Sequence, residues 1–102
     1  MITAIVRFPL TPGTTAEQAR DLFEGSAPKY KGLQGLIRKY YVGSEDGSTV
    51  GGIYLWESRE AADATYDDAW RQRVTAAYGA PPTMTYFETP VVVDNRHPEI
   101  VS

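Results

Sequence analysis

Few side chains of this sequence are suited to acid–base chemistry. Arg38 offers a permanent positive charge to an anionic group, and His97 is the single histidine, whose ordinary pKa suits a base near neutral pH. These two are the candidate catalytic residues. Aromatic side chains from residue 40 onward supply flat walls for a hydrophobic or aromatic ligand. The predicted substrate-binding residues are Tyr40, Tyr54, Trp56, Tyr66, Trp70, Tyr78 and Tyr86.

Each kind of candidate also has a purely structural interpretation. Arg38 and Lys39 can lie at a solvated or subunit-facing strand end, paired with Glu88 or with helix acids, where ion pairs contribute little. Tyr66 and Trp70 have the spacing of a helical core stripe, and pocket walls are usually core residues as well. His97 precedes a proline near the end of the sequence, which is typical of an exposed segment unless that segment covers the pocket of a partner subunit.

The composition argues against several other classes of function. With one histidine, no cysteine and no acidic spacing typical of a calcium loop, no metal site is predicted. The net charge is −3 and the basic residues form only pairs, so no nucleic-acid partner is expected. The sequence contains no nucleophile with its base, no phosphate-binding glycine loop and no paired carboxylates, which leaves hydrolases and phosphoryl transferases without support.

Length and hydropathy predict a small single-domain protein. The 102 residues, of which 42% are hydrophobic, are expected to form one domain over residues 1–102. No apolar run approaches the roughly 20 residues that span a bilayer, and the start lacks the features of a signal peptide. We therefore expect a cytoplasmic protein with no membrane partner.

Hydrophobic periodicity predicts the elements that must position these side chains. Residues 2–9 alternate as a strand, and T14-T-A-E17 has the pattern of a capping box, which predicts a helix beginning near Thr15. Two strand-like runs, G35-L-I-R-K-Y-Y-V42 and T49-V-G-G-I-Y-L-W56, are joined by turn residues and predict a hairpin. The last extended run, residues 83–94, contains Pro90, which belongs at a sheet edge or a bulge.

A second helix is predicted from Ser58, a good N-cap, to Gly79. Its apolar residues recur at a spacing of four: Ala62, Tyr66, Trp70, Val74 and Tyr78. Because four residues advance about 400° on a helix, this stripe drifts by roughly 40° at each step, and a straight helix would carry it away from the core. We therefore predict a break at Asp67 and Asp68, with an aspartate capping a second segment that begins at Ala69.

The predicted order β-α-β-β-α-β indicates an α+β, ferredoxin-like fold, an antiparallel sheet with both helices on one face. Alternation in the hairpin predicts that Leu36, Arg38 and Tyr40 share one face of their strand, and it places bulky residues on both faces of the sheet. The helices cover one face, and an identical subunit is the simplest cover for the other, as in a dimeric α+β barrel. A homodimer is therefore expected, and the exchange of residues 91–97 between subunits stays open.

Two adjacent glycines, Gly51 and Gly52, precede the most strand-like residues of the chain. Glycine weakens a strand, so the pair indicates a bulge, a close approach by another backbone or a ligand, or room for large aromatic neighbours. Their predicted position opposite residues 38–41 favours a hollow over which aromatic side chains or a ligand can lie.

Several of these segments together resemble a known family. The run G51-G-I-Y-L-W56, the helix S58-R-E-A-A-D-A-T-Y66, Y78-G and the closing strand Y86-F-E-T-P-V-V-V93 are similar to the YdhR-like monooxygenases of the dimeric α+β barrel superfamily. The resemblance extends over residues 1–97. It implies the ferredoxin-like fold, the homodimer and a relation to the antibiotic-biosynthesis monooxygenases, which oxidise polyphenolic anthrone-type substrates without metal, flavin or haem.

On this resemblance, the expected function is a cofactor-independent monooxygenase acting on a small aromatic or polyketide-like substrate. Such chemistry needs a base, a cation or donor for the substrate anion, and a dry pocket, and Arg38 is the predicted stabiliser of an enolate or phenolate. Two alternatives remain open. One is an isomerase or cyclase acting on an enolisable substrate, and the other is a non-catalytic small-molecule-binding or stress-related barrel, which the shortage of an obvious base favours.

Overall fold

The computed structural model describes residues 1–96 and 99–101, and its elements follow the predicted order before adding a short hairpin. In chain order they are β1 (Ile2–Pro9), α1 (Ala16–Ser26), β2 (Leu36–Gly43), β3 (Thr49–Trp56), α2 (Arg59–Thr65), α3 (Asp68–Tyr78), β4 (Thr83–Glu88), β5 (Val92–Asp94) and β6 (Glu99–Val101). A 3₁₀ turn, Ala27–Lys29, follows α1 directly, because Pro28 lacks the amide proton that a further α-helical turn would need.

The four long strands form one antiparallel sheet in the order β2-β3-β1-β4. This sheet and the β-α-β-β-α-β order confirm the predicted ferredoxin-like α+β fold. Strand β4 lies at a sheet edge and ends before Pro90, where the missing amide proton costs no ladder hydrogen bond. Strands β5 and β6 pair separately with each other.

The core lies between the helices and one face of the sheet, which we call the inner face. Alternate residues of β1 and β3 point to it and meet buried residues of all three helices and of the turn between α2 and α3. Both tryptophans are almost completely buried, and their indole N–H groups are satisfied. Trp56 donates to the Tyr66 hydroxyl and Trp70 to the Tyr30 hydroxyl, each at 3.0 Å, so neither indole loses its hydrogen bond on burial.

The predicted break in the second helix is confirmed. Helix α2 ends at Thr65, and Asp67 is the N-cap of α3, where its Oδ1 accepts the amide proton of Trp70 at 2.8 Å. Helix α3 begins at Asp68, one residue earlier than predicted, and ends at Gly79 in the left-handed conformation. The break reorients the chain so that Tyr66 and Trp70 both reach the core.

The capping box of α1 lies one residue later than predicted. The Thr15 hydroxyl accepts from the Gln18 amide at 3.1 Å, and Gln18 Oε1 accepts from the Thr15 amide at 2.9 Å. The predicted box from Thr14 to Glu17 was therefore wrong. Either of the two adjacent threonines could begin a capping box. Thr14 belongs instead to the preceding turn, in which its amide donates to the Thr11 carbonyl at 3.0 Å.

Strand β2 does not alternate strictly, because it contains a bulge. Leu36 pairs with Trp56, while Arg38 already pairs with Leu55, so Ile37 is an additional residue in the ladder. Leu36 packs against the core, whereas Arg38 shares the opposite face of the sheet with Leu55. The predicted common face of Leu36, Arg38 and Tyr40 was wrong for Leu36, since an inserted residue reverses the side to which the following residues point.

The opposite face of the sheet, which we call the outer face, has only a partial cover. Strand β5 lies against one part of it, where Arg38 Nη2 binds Asp94 Oδ2 at 2.8 Å. Elsewhere Tyr40 and Phe87 are 51% and 53% exposed. Two residues of the apolar segment Val91–Val93 lie in β5. Within the described ranges, no helix is both long and apolar enough to cross a membrane.

Candidate functional site

A cavity of about 270 Å³ lies between the inner face of the sheet and the helices α1 and α3. Its floor consists of Gly51, Gly52 and Tyr54 of β3, and β2 contributes Lys39 and Tyr41. The exposed lining residues belong to α1, to α3 and to the 3₁₀ turn. The cavity therefore opens to solvent on the helical side of the molecule.

The paired glycines make this floor possible, each for a different reason. A side chain on Gly51 would collide with the backbone carbonyl of Val6 in β1. A Cβ on Gly52 would lie only 2.9 Å from Tyr54 Cε1 and 3.1 Å from Lys39 Cε. Gly51 thus permits the close approach of a neighbouring backbone, and Gly52 leaves the hollow in which the Tyr54 ring and the Lys39 stem lie.

The Lys39 amine sits among three tyrosine rings inside this cavity. Its Nζ lies 3.6 Å from the ring centroid of Tyr30, 3.8 Å from that of Tyr41 and 4.5 Å from that of Tyr54. Two of the rings are held in place by hydrogen bonds: the Tyr41 hydroxyl lies 2.6 Å from Ser26 Oγ, and the Tyr30 hydroxyl accepts from Trp70. The cage is therefore built by β2, β3 and the segments on either side of the 3₁₀ turn.

Burial gives Lys39 an unusual acidity. Loss of water around the amine, and secondarily the positive charge of Arg73, lower the pKa of Lys39 from 10.5 to about 7. The negative ring faces attract an ammonium group and oppose this lowering. Near neutral pH the amine can therefore both accept and release a proton.

The pKa values of the tyrosine hydroxyls in the cavity shift upward, whereas that of the amine shifts downward. Burial, followed by the neighbouring Tyr30, raises the pKa of Tyr54, and burial also raises the pKa of Tyr41 and brings that of Tyr78 to about 12. These phenols stay protonated at neutral pH and can donate hydrogen bonds to a bound anion. The cavity thus combines a titratable amine with neutral donors on aromatic walls.

The structure brings together only part of the predicted substrate-binding set. Tyr54 and Tyr78 line the cavity, and Tyr78 stacks on Phe8 with centroids 4.3 Å apart. Trp56, Tyr66 and Trp70 are buried in the core behind the cavity. Tyr86 packs against the same core and is covered by the Arg59 guanidinium at 3.6 Å.

The other predicted residues lie away from the cavity. Arg38 and Tyr40 are on the outer face, where Arg38 binds Asp94 and donates to the Tyr40 hydroxyl at 3.2 Å. With Ile53, Leu55 and the first residues of β5, they line a second hollow of about 280 Å³. His97 lies outside the described residues. The catalytic roles assigned to Arg38 and His97 stay predictions.

Lys39 is the residue that sequence reasoning missed, together with its cage partners Tyr30 and Tyr41. A usable signal existed in the sequence. If the hairpin register is known, Lys39 pairs with Tyr54 and Tyr41 pairs with Gly52, so both fall on the face of Tyr54, where the missing side chain of Gly52 leaves room. Tyr30 carried no such signal, because only the fold of α1 onto the sheet brings it to the amine.

Potential metal ligands do not cluster in the described part of the chain. Within residues 1–96 and 99–101, the structure contains no group of three or more His, Cys, Asp or Glu side chains that could hold a metal ion.

Comparison with known proteins agrees with this architecture. The sequence profile of the family described as "Putative mono-oxygenase ydhR" matches residues 5–88, which span every element that lines the cavity. The chain belongs to this family. A search of curated proteins gave no significant match.

Solved structures with the same fold include oxygenases. A monooxygenase from the gene ActVA-Orf6 of Streptomyces coelicolor, crystallised with nanaomycin D, is 22% identical, with a TM-score of 0.68 over 86% of each chain. SnoaB, a cofactor-independent oxygenase from Streptomyces nogalater, is 16% identical, with a TM-score of 0.64 over 86% of this chain and 91% of its own. A protein of unknown function from Nitrosomonas europaea is 21% identical, with a TM-score of 0.69 over 86% and 87%. At these identities, the similarity shows the shared fold alone.

The packing over Gly52 can be tested by adding one methyl group. We expect Gly52→Ala to lower the free energy of unfolding by about 1–3 kcal/mol, because the methyl overpacks the floor of the cavity against Lys39 and Tyr54. Gly25→Ala is the matched control: Gly25 also lines the cavity, but a Cβ there meets no atom within 4 Å. Urea unfolding should show no decrease in the free energy of unfolding for Gly25→Ala. Equal decreases in both variants would contradict the packing over Gly52.

The acidity of Lys39 predicts a pH-dependent stability. Between about pH 7 and about pH 9 the unfolded lysine keeps a proton that the folded lysine has lost, so stability rises with pH across this window. Relative to Lys39→Met, the free energy of unfolding of the wild type should therefore increase from about pH 7 to about pH 9. Lys31→Met, at an exposed position, should follow the wild type. A pH-independent difference between wild type and Lys39→Met would refute the lowered pKa.

Proposed function

We propose that this protein is a cofactor-independent monooxygenase for a small aromatic or polyketide-like substrate, and that the reaction occurs beside Lys39. The observation that carries the proposal is the position of the Lys39 amine, within 4.5 Å of three tyrosine ring centroids in an aromatic cavity. The cavity of about 270 Å³ is close to the lower end of the usual range for ligand pockets, roughly 300–1,000 Å³, and so suits a small ligand.

In this reaction the substrate itself supplies the electrons. The neutral Lys39 amine takes a proton from an anthrone-type CH₂ group or from a phenol, and the resulting anion is electron-rich enough to reduce dioxygen. In the overall change for an anthrone, the CH₂ group and O₂ become a carbonyl group and water. One oxygen atom enters the substrate, the other leaves as water, and all four electrons come from the substrate.

The surroundings of Lys39 favour the anionic state that this reaction requires. After proton transfer the ammonium group lies beside the new enolate or phenolate, and charge attraction is strong where water is partly excluded. The protonated hydroxyl groups of Tyr54 and Tyr78 can donate to the anionic oxygen. The aromatic walls suit a flat substrate, and membership of the monooxygenase family supports the same chemistry.

We also propose that two copies of the chain pair through their outer faces. The large apolar side chains Tyr40, Val42 and Phe87 are exposed on the side of the sheet opposite the helices. A second copy would remove them from water and close the two sheets into a barrel, in which each outer face is covered by the other. In this arrangement the Lys39 cavity of each subunit stays on its own inner face.

Dioxygen uptake tests the proposed activity. With a panel of anthrones and hydroquinones, and in the presence of a chelator, uptake should be proportional to protein, and Lys39→Met should lower the rate by about 100-fold or more, because the base is lost. Arg38→Met changes the adjacent residue on the outer face and should retain activity.

Each other outcome of this assay identifies a different function. Loss of uptake in Arg38→Met but not in Lys39→Met would move the site to the outer hollow and restore the first prediction for Arg38. Exchange of substrate C–H protons without oxygen uptake would identify an isomerase or cyclase. Neither uptake nor exchange would favour a binding protein.

The proposed dimer can be tested separately by light scattering on the eluted protein. We expect twice the mass of one chain at micromolar concentration, and Phe87→Glu should dissociate the dimer because it places a charge in the apolar contact. Leu22→Glu is the control, since Leu22 is similarly exposed but lies on the helical side. A folded wild-type monomer at this concentration would contradict the outer-face pairing.

A further inference from the structure

The Lys39 cavity has a positive lining although the protein as a whole is acidic. Lys29 of the 3₁₀ turn and Arg73 of α3 are exposed lining residues, and Lys39 lies inside. Asp21 of α1 is the only carboxylate in the lining. The complete chain carries a net charge of −3, so the cavity has the opposite sign to its surroundings.

None of these cations takes part in a salt bridge between described residues. Across residues 1–96 and 99–101, the salt bridges join Arg20 to Glu24, Arg38 to Asp94 and Arg59 to Asp63, and none includes a cation of the cavity. Their charge therefore remains available to a ligand. The lowering effect of Arg73 on the pKa of Lys39 indicates that its charge acts inside the cavity as well as at the surface.

Two basic groups of different kinds then face one cavity. The amine of Lys39 is a compact group deep among the rings, suited to a phenol or enol oxygen. The guanidinium of Arg73 is a planar donor at the rim, suited to a carboxylate, which it can bind through two parallel hydrogen bonds. A ligand with a negative charge at the rim would also relieve the repulsion between Arg73 and Lys39.

We propose that the cavity selects acidic arenes: planar aromatic ligands with a phenol or enol that reaches Lys39 and a carboxylate that reaches Arg73 at the rim. This inference rests on the proposed function for the location of the site and adds the class of substrate. It does not depend on oxygen chemistry, because recognition of the carboxylate precedes any reaction.

Calorimetric titration with a hydroxynaphthoate and with its methyl ester tests this selection, since the ester lacks the carboxylate charge and adds only one methyl group. The acid should bind about fivefold more tightly than the ester, and Arg73→Gln should remove this preference by weakening only the acid. Arg71→Gln is the matched control, because Arg71 lies two residues away on α3, is exposed and does not line the cavity. Added salt should weaken binding of the acid more than binding of the ester.

Several results would overturn the selection. Equal affinities for acid and ester, an equal effect of Arg71→Gln and Arg73→Gln, or no binding of either probe would each do so. Failure of the proposed oxygenase is distinguishable from failure of this inference. A carboxylate preference lost in Arg73→Gln, without dioxygen uptake on any substrate, refutes the oxygenase alone, and uptake without that preference refutes the selection alone.

Discussion

The absence of two side chains in the middle of β3 is the constraint on which the site depends. Gly51 allows the backbone of β1 to approach, which holds the centre of the sheet together. Gly52 leaves a space on the inner face, and the Lys39 stem and the Tyr54 ring lie over it. A Cβ at position 52 would crowd both, at 3.1 Å from Lys39 Cε and 2.9 Å from Tyr54 Cε1. The same backbone feature therefore contributes to the fold and creates the cavity.

Placing a lysine in this hollow is costly, and the structure compensates only partly. Removal of the amine from water disfavours its charge, and the nearby guanidinium of Arg73 adds repulsion. Attraction to three ring faces offsets part of this cost for the ammonium form. No carboxylate among the described residues pairs with Lys39. A methionine or leucine would fill the same volume without this cost. Strong perturbation of a titratable group inside a cavity is typical of functional sites.

The two faces of the sheet place Arg38 and Lys39 in different surroundings. Residues 38 and 39 are adjacent in the chain, yet a strand directs them to opposite sides, one toward the β5 segment and the other into the cavity. Arg38 is compensated by Asp94 on the outer face. Lys39 has no carboxylate partner among the described residues and faces space that a ligand can occupy. The bulge at Ile37 decides this assignment, because it sets the side to which every later residue of β2 points.

The sequence by itself determined the element order, the broken second helix and the importance of the glycine pair, since periodicity, capping residues and glycine act over a few neighbouring residues. Two of the seven aromatic residues that it predicted to bind substrate, Tyr54 and Tyr78, line the cavity. Only the tertiary structure decided the identity of the titratable group. A lysine beside an arginine looks solvated in sequence. Its cage requires a bulge in β2, the hollow over β3 and Tyr30, which reaches the amine only because α1 and the 3₁₀ turn fold onto the sheet. Desolvation and charge depend on these through-space neighbours, which no local pattern encodes.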